Sequence, residues 1–261
     1  MSIFRLVSLL LCSLCASCSK EFGQECQFGL PLDSKTNAES GLNSLSPYEV
    51  QMVKEALCKE KKLRAALSTS RPSILVSVQK LSKRKNASTA NLPVNQFTGD
   101  VRFGERPTVR VTHQDIRWHH PFYSWPLAAY ADMALLDPHH LNATNYGWKQ
   151  VGKETFRNTP CIVYELTPFR VTGSWQFAGS VWVSSKDHLI VQFQGRYHPI
   201  RRNNPLHLRE DFYYCFESTR KEIRPGVWVP DEIEMELPVN ESDFVQPAFQ
   251  AKAVFSWDAN F

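Results

Sequence analysis

The histidines are the residues of this sequence whose type comes closest to metal-binding chemistry. They include two adjacent pairs, His119-His120 and His139-His140. Neighbouring side chains in an extended segment point in opposite directions, so an adjacent pair rarely chelates one ion. No HExxH motif occurs, and no Asp or Glu stands at a ligand-like helical spacing from either pair. The sequence therefore predicts no metal site.

The carboxylates also lack the arrangement that catalysis needs. Glu232, Glu234 and Glu236 alternate along one predicted strand and share one face, whereas a glycosidase needs two carboxylates that converge across a cleft. A solvated strand face is the expectation for this row. The chain has no GxSxG nucleophile motif and neither a GxGxxG nor a Walker phosphate loop. We therefore expect a non-catalytic protein without a cofactor.

The N-terminus has the features of an export signal. Arg5 precedes an apolar run that is too short to cross a bilayer and that ends in small residues, so we assign residues 1–18 to a signal peptide. Cys15-Ala16-Ser17-Cys18 resembles the bacterial lipobox, which prefers Leu where Cys15 stands. Two outcomes stay open, a lipid anchor on Cys18 and ordinary cleavage near Ala16 to Ser19. We expect an exported protein of the periplasm or outer membrane.

Four cysteines follow the leader, namely Cys26, Cys58, Cys161 and Cys215. An even number in an exported chain indicates disulfides and allows three connectivities. We favour a Cys26–Cys58 bond, because it would tie the N-terminal segment to the first helix. Cys161 and Cys215 both fall in strand patterns, where we expect buried free thiols.

Composition indicates one globular domain after a tether. Hydrophobic residues make up 43% of the sequence, which supports a packed core, and the net charge is only +4. No dense basic patch interleaved with aromatic residues appears, so nucleic acid is not an expected partner. Residues 19–46 are rich in Ser, Gly and Asn and are interpreted as a flexible tether. Residues 47–261 are interpreted as a single domain.

The predicted elements are one long helix followed by nine or ten strands. The helix begins at Pro47, where Ser46 and Glu49 have capping-box spacing, and ends near Ala66. The stretch from Gly152 to Gly195 contains three strands, which we place in the middle of a large antiparallel sheet. Within it, Gly173 and Gly179 are predicted to mark the bends that curl the sheet.

An aromatic segment between Ile116 and Trp148 interrupts the strands. Its central part, Leu127 to Leu136, predicts a short apolar helix that is buried in the concavity of the sheet. The aromatic side chains are either the lining of an apolar cavity or the filling of one. The candidate ligand-binding residues are Trp118, Phe122, Trp125, Tyr130, Trp148 and Trp182.

Strand and turn motifs give a family resemblance over residues 47–257. The motifs are CIVYELTP from Cys161, FAGSVWV from Phe177, Ile190-Val191 with Gly195, and RKEIRPGVWVP from Arg220. They resemble the outer-membrane lipoprotein-sorting-protein-like chains of the Lol-type carrier superfamily. The resemblance implies a curved, unclosed barrel whose mouth is capped by helices and whose apolar cavity holds acyl chains.

Together these expectations define an α+β, mainly antiparallel β fold. We expect a curved half-barrel sheet with an N-terminal helix and a helical insertion on its concave side. The expected function is non-catalytic binding or transfer of a lipid or lipoprotein acyl chain in an apolar cavity. The other function considered is that of a structural or assembly lipoprotein that binds a protein partner without a ligand cavity. The oligomeric state stays open.

Overall fold

Ten antiparallel strands form one open sheet in the computed structural model. The structure describes residues 42–80, 94–104, 107–117, 127–136, 141–143, 145–168, 175–199, 214–237 and 249–258, all within the unit Glu39–Phe261. The strands are β1 (Ser73–Lys80), β2 (Val94–Arg102), β3 (Thr108–Asp115), β4 (Tyr146–Phe156), β5 (Thr159–Pro168), β6 (Trp175–Ser184), β7 (Ile190–Pro199), β8 (Tyr214–Arg224), β9 (Val227–Leu237) and β10 (Phe249–Ser256). Two helices accompany them in the described part of the chain, α1 (Pro47–Leu67) and α2 (Ala128–Met133).

The strand order is β3-β2-β1-β10-β9-β8-β7-β6-β5-β4. Strands β4 to β10 follow one another as a meander, and the N-terminal strand β1 returns to pair with β10. Within the described residues the sheet is not closed, and its edges are β3 and β4. The prediction that β5, β6 and β7 form the middle of the sheet is wrong, because they lie towards the β4 edge and the centre is occupied by β8 and β9.

One face of the sheet, here called the inner face, is buried beneath α1. Alternation along each strand sends every second side chain to this face, and antiparallel pairing aligns those side chains across the sheet. One such row is fully buried, and it crosses seven strands. Its members are Tyr164, Val181, Phe193, Ser218, Ile233, Ala253 and Val76.

Helix α1 begins as the sequence predicts and ends one residue later. The Ser46 side chain accepts from the Glu49 backbone N–H, and the Glu49 carboxylate accepts from the Ser46 N–H, so the capping box is confirmed. The Tyr164 hydroxyl of β5 donates to the Met52 sulfur at 3.4 Å, which fixes α1 against the inner face. No described helix is long and apolar enough to cross a membrane.

The helical insertion is shorter than predicted, since α2 covers only part of Leu127 to Leu136. Tyr130, Ala131 and Met133 are buried. The Arg64 guanidinium of α1 donates to the Leu135 carbonyl at 3.1 Å, which joins this segment to the helix on the inner face.

Two glycines allow close approach of β6 and β7. Gly179 pairs with Gly195, and a Cβ on either residue would lie 2.1 or 2.2 Å from a carbonyl oxygen of the opposite strand. Gly179 is two residues from the inward-facing Val181 and therefore lies on the same face, so a side chain at Gly179 would project to the inner face. The pair therefore lets the backbones of β6 and β7 approach closely, and the bend predicted at Gly179 stays a prediction. Gly173 lies outside the described residues.

Strand β4 was not predicted. Only Tyr146 and Trp148 at its beginning show buried alternation, and the rest of the strand is polar and largely exposed. A register shift between Gln150 and Gly152 further breaks its pattern. With β4 included, the architecture is the predicted α+β, mainly antiparallel half-barrel with an N-terminal helix.

Candidate functional site

An aromatic cluster lies on the inner face between the centre of the sheet and its β4 edge. Phe177, Phe193 and Phe216 come from three adjacent strands, and their ring centroids are 5.8 to 6.2 Å apart in edge-to-face contacts. This is the arrangement that aromatic quadrupoles favour. The Tyr146 hydroxyl accepts a hydrogen bond from the Phe177 backbone N–H at 3.1 Å, which joins β4 to the cluster.

Trp148 is the largest fully buried side chain of the described residues. Its indole N–H donates to the Leu141 carbonyl at 3.2 Å, and its ring meets the Tyr164 ring edge-on at 5.9 Å. Tyr130 of α2 is also buried, and burial raises the pKa of both tyrosines. These side chains act as packing in the structure, so the filling interpretation fits Tyr130 and Trp148.

Trp182 faces the other way. It lies on the opposite face from its neighbours Val181 and Val183, and it belongs to a buried apolar cluster on this outer face, formed by Cys161, Val163, Trp182, Val191 and Trp228. Its indole N–H donates to the Glu154 carboxylate at 2.8 Å. Trp182 therefore cannot line the same cavity as Trp148. Trp118, Phe122 and Trp125 lie outside the described residues, so their assignment stays a prediction.

Cys161 and Cys215 are both free thiols, as predicted. Cys161 is buried as expected, whereas Cys215 is only half-buried. Burial raises the pKa of the Cys161 thiol, which disfavours the reactive thiolate. Cys58 is buried in α1, but Cys26 and Cys18 lie outside the described residues. The Cys26–Cys58 bond and the lipidation of Cys18 stay predictions.

A buried ion pair crosses from α1 to the inner face, and the sequence interpretation missed it. The Arg220 guanidinium of β8 donates to both oxygens of the Glu60 carboxylate, at 2.6 and 2.7 Å. Both side chains are only 1% exposed. Arg220 also donates to the Ile190 carbonyl at 2.8 Å and lies 5.9 Å from the Phe193 ring centroid.

Two polar atoms near this pair have no hydrogen-bond partner within the described part of the chain. They are the Ser218 hydroxyl and Nε of Arg220, and both atoms are buried. Ser218 and Arg220 stand two residues apart on the same face of β8, roughly 7 Å along the strand. Buried polar groups normally have partners, so this polar strip in an apolar wall requires a physical explanation.

A second polar contact holds α1 to the turn between β6 and β7. His188 Nδ1 lies 2.6 Å from the Glu55 carboxylate, and the Lys59 ammonium donates to the Asp187 carbonyl. The Tyr48 ring meets the His188 ring edge-on. The hydrogen bond with His188 is the largest cause of the lowered pKa of Glu55.

Towards the β3 edge the inner face becomes accessible. Phe97 of β2 pairs with the buried Val76, yet it is only partly buried. Val111 of β3 shares the inner face by its pairing with Gly99, and it is 43% exposed. The apolar wall is thus covered near α1 and meets solvent at this edge.

The outer face carries a polar groove of about 650 Å³. Strand register places Glu165, Ser180, Gln194, Glu217 and Glu234 in one row across it. The predicted solvated row is confirmed for Glu234, which is exposed; Lys252 of β10 donates to this residue and to the half-buried Glu232.

Metal chemistry has no geometric basis in the part of the chain that the structure describes. No group of three or more His, Cys, Asp or Glu side chains there is arranged to hold an ion. The predicted non-ligands His119-His120 and His139-His140 lie outside those residues.

No family model and no curated protein matches this chain. Solved structures with a similar fold include a DUF1329 family protein from Desulfovibrio piger, with 14% identity, a TM-score of 0.40 and coverage of 80% of this chain and 94% of that chain. A putative outer-membrane lipoprotein-sorting protein domain from Vibrio parahaemolyticus has 10% identity, a TM-score of 0.40 and coverages of 78% and 91%. A LolA superfamily protein from Nitrosomonas europaea has 12% identity, a TM-score of 0.39 and the same coverages. The second is described as an outer-membrane lipoprotein-sorting protein domain and the third as a LolA superfamily protein, which are the names of the group that the sequence motifs resemble.

Proposed function

We propose that this chain is a non-catalytic, exported protein that binds a lipid or lipoprotein acyl chain against the inner face of its half-barrel. The observation that carries the proposal is the continuous apolar wall on that face. It runs from the aromatic cluster of Phe177, Phe193 and Phe216 to the accessible Phe97 and Val111. An acyl chain entering at the β3 edge meets mainly apolar side chains, with Ser218 and Arg220 as polar groups beside the aromatic cluster.

The required burial is within reach of such a wall. Covering one CH₂ group contributes about 0.8 kcal/mol, and micromolar affinity corresponds to about 8 kcal/mol. An acyl chain must therefore bury at least roughly ten CH₂ groups, because association and the displacement of packed side chains oppose binding. Since side chains fill the described inner face, α1 or the aromatic cluster has to move to admit a ligand.

The proposed location follows from the N-terminal sequence. Export would remove the leader, and a lipid on Cys18 would tether the domain through residues 19–46 to a membrane. The last residues of this segment pack on the domain, since Leu42 is buried and the Ser44 hydroxyl donates to the Trp148 carbonyl at 3.1 Å. Mass spectrometry of the mature N-terminus distinguishes a diacylglyceryl adduct on Cys18 from ordinary cleavage.

Binding is tested directly with the mature protein purified from its native envelope. Native mass spectrometry should show a co-purified lipid that organic extraction removes, and the extracted protein should then bind a neutral fluorescent acyl probe in a saturable manner. Absence of both a removable lipid and saturable probe binding would contradict the proposal.

A second candidate function is binding of a protein partner by strand addition at β3. Two observations favour it: the described inner face is filled by side chains, and β3 is an edge strand with nearly every side chain exposed. Exposed edges are templates for pairing with another chain. A photo-crosslinking residue in place of Val111 should capture one partner in cells. The matched control is Val151 on the opposite edge, β4, which is also exposed. Equal labelling from both positions, or none, would count against strand addition at β3.

A further inference from the structure

We infer that Arg220 is an anion-binding site that Glu60 occupies in this structure, and that the ligand of the inner face is an anionic amphiphile. Its carboxylate or phosphate would take the place of the Glu60 carboxylate while its acyl chain covers the apolar wall. The inference rests on the proposed acyl-binding function and adds the chemistry of the headgroup.

The geometry around Arg220 is that of anion recognition. A planar guanidinium binds a carboxylate or phosphate through two parallel N–H donors, and Glu60 is held in this way at 2.6 and 2.7 Å. The Ile190 carbonyl fixes the guanidinium at 2.8 Å. The orientation of the Arg220 guanidinium is therefore fixed by the sheet, whereas its anionic partner, Glu60, belongs to helix α1.

The guanidinium has donor capacity that Glu60 does not use. Nε of Arg220 and the Ser218 hydroxyl are buried and have no partner among the described residues. Both project from the same face of β8, next to the Phe193 ring that lies opposite Ser218. A headgroup with more acceptor oxygens than one carboxylate, such as a phosphate, can engage these donors as well as the two that Glu60 occupies.

The composition of α1 also favours a role for Glu60 as a replaceable anion over a purely structural role. Glu60 is the one charged residue among the buried residues of this helix, and the others, Met52, Val53, Ala56, Cys58 and Leu67, are apolar. Apolar side chains of similar volume commonly stabilise a fold as well as a buried ion pair does. An ion pair has one property that they lack: an incoming anion can replace Glu60 one for one, which keeps Arg220 paired while Glu60 returns to water.

This exchange predicts selectivity for charge. An amphiphile with a neutral headgroup can displace α1 only by leaving Arg220 charged and unpaired in apolar surroundings. An anionic amphiphile of the same chain length avoids that penalty. Hexadecanoate and hexadecan-1-ol form a matched pair of probes at pH 8, where the acid is ionised, and hexadecyl phosphate tests the second headgroup.

The experiment measures the dissociation constants of these probes for the delipidated mature chain by competition with a neutral fluorescent acyl probe. We expect the wild type to bind hexadecanoate at least tenfold more tightly than the alcohol. In Glu60→Gln the free protein no longer holds an ion pair that binding must break, so both probes should bind more tightly than to the wild type, and the preference for hexadecanoate should remain. The double variant Glu60→Met with Arg220→Met keeps an apolar contact in place of the ion pair and should bind both probes equally.

The outcomes separate this inference from the function on which it rests. Equal affinity of the wild type for acid and alcohol overturns the anion site and leaves acyl binding intact. Weaker hexadecanoate binding by Glu60→Gln also overturns it, because Glu60 would then support the site rather than occupy it. Binding of neither probe overturns both proposals. If Glu60→Gln does not fold, loss of selectivity in the folded double variant supports the site, and retained selectivity contradicts it.

Discussion

The two faces of the sheet are built from the same strands but accommodate polar groups in opposite ways. On the inner face the charged pair of Glu60 and Arg220 is enclosed in apolar side chains. On the outer face Glu232 and Glu234 meet Lys252 where water reaches all three. An ion pair at a surface contributes little, whereas removal of one partner from a buried pair leaves an uncompensated charge. The inner face is therefore the one on which single substitutions have large consequences.

The two faces also differ in the extent of their apolar surface. The inner face is a continuous wall across seven strands, while the apolar cluster of the outer face is confined to a few residues around Trp182. The outer groove is lined mainly by polar side chains and by the backbone at Gly179 and Gly195. The face that carries helix α1 is thus the face suited to an acyl chain.

The largest expected effect comes from breaking the buried pair. Arg220→Met leaves Glu60 charged and unpaired, and it should lower the free energy of unfolding by about 3–5 kcal/mol. The double variant with Glu60→Met should recover most of that loss, because it restores an apolar contact. Urea denaturation of both proteins measures the difference. A single variant as stable as the double one would contradict the description of this pair as fully enclosed.

The close approach of β6 and β7 is tested at the Gly179 and Gly195 pair. Gly179→Ala would place a methyl group 2.1 Å from the Gln194 carbonyl oxygen, and we expect a loss of about 1–3 kcal/mol. Gly152→Ala is the control, since a Cβ there meets no atom within 4 Å. Thermal unfolding of the two variants should separate them clearly. Equal stability would mean that β6 and β7 do not need this close approach.

Substitution of one tryptophan on each face compares how much the two faces contribute to the free energy of unfolding. Trp148→Phe removes a buried donor and leaves the Leu141 carbonyl without its partner, so we expect a loss of roughly 1–3 kcal/mol. Trp182→Phe removes a bond to Glu154, which is exposed and can bind water instead, so the loss should be smaller than for Trp148→Phe. The reverse ranking in denaturant titrations would contradict the assignment of the inner face as the main core.

The smallest effect is expected from the contact of Glu55 with His188. The pKa of Glu55 is lowered in the folded state, so its contribution is present above the ordinary Glu range, about 4.3, and is lost as the pH falls through the lowered value. Glu55 is partly exposed, which limits the contribution to a few tenths of a kcal/mol. His188→Gln should flatten this acid limb of the stability profile. His113→Gln, on the exposed strand β3, should leave it unchanged.

Local signals in the sequence predicted local structure well. The capping box of α1 depends on residues that are neighbours along the chain. Strand β4 was missed because an edge strand that is largely exposed after Trp148 shows no alternation. The position of the strands in the sheet depends on the pairing of β1 with β10, which the sequence pattern does not specify.

The candidate site shows the same division. Alternation along β6 predicts that Trp182 and its neighbour Val181 lie on opposite faces of the sheet. Trp182 was nevertheless grouped with Trp148 as a ligand-binding residue because both are tryptophans. The Glu60–Arg220 pair was missed because its partners are 160 positions apart. A glutamate on the buried side of an otherwise amphipathic helix was the one local sign of it.

The most direct test of the difference between the faces is residue-level photolabelling with a neutral acyl probe that carries a diazirine at mid-chain. The label should fall on inward-facing residues of neighbouring strands, such as Phe193, Phe216 and Ile233, and should be displaced by unlabelled lipid. Label on the outward-facing Glu165, Gln194 or Glu217, or label that no lipid displaces, would contradict acyl binding on the inner face.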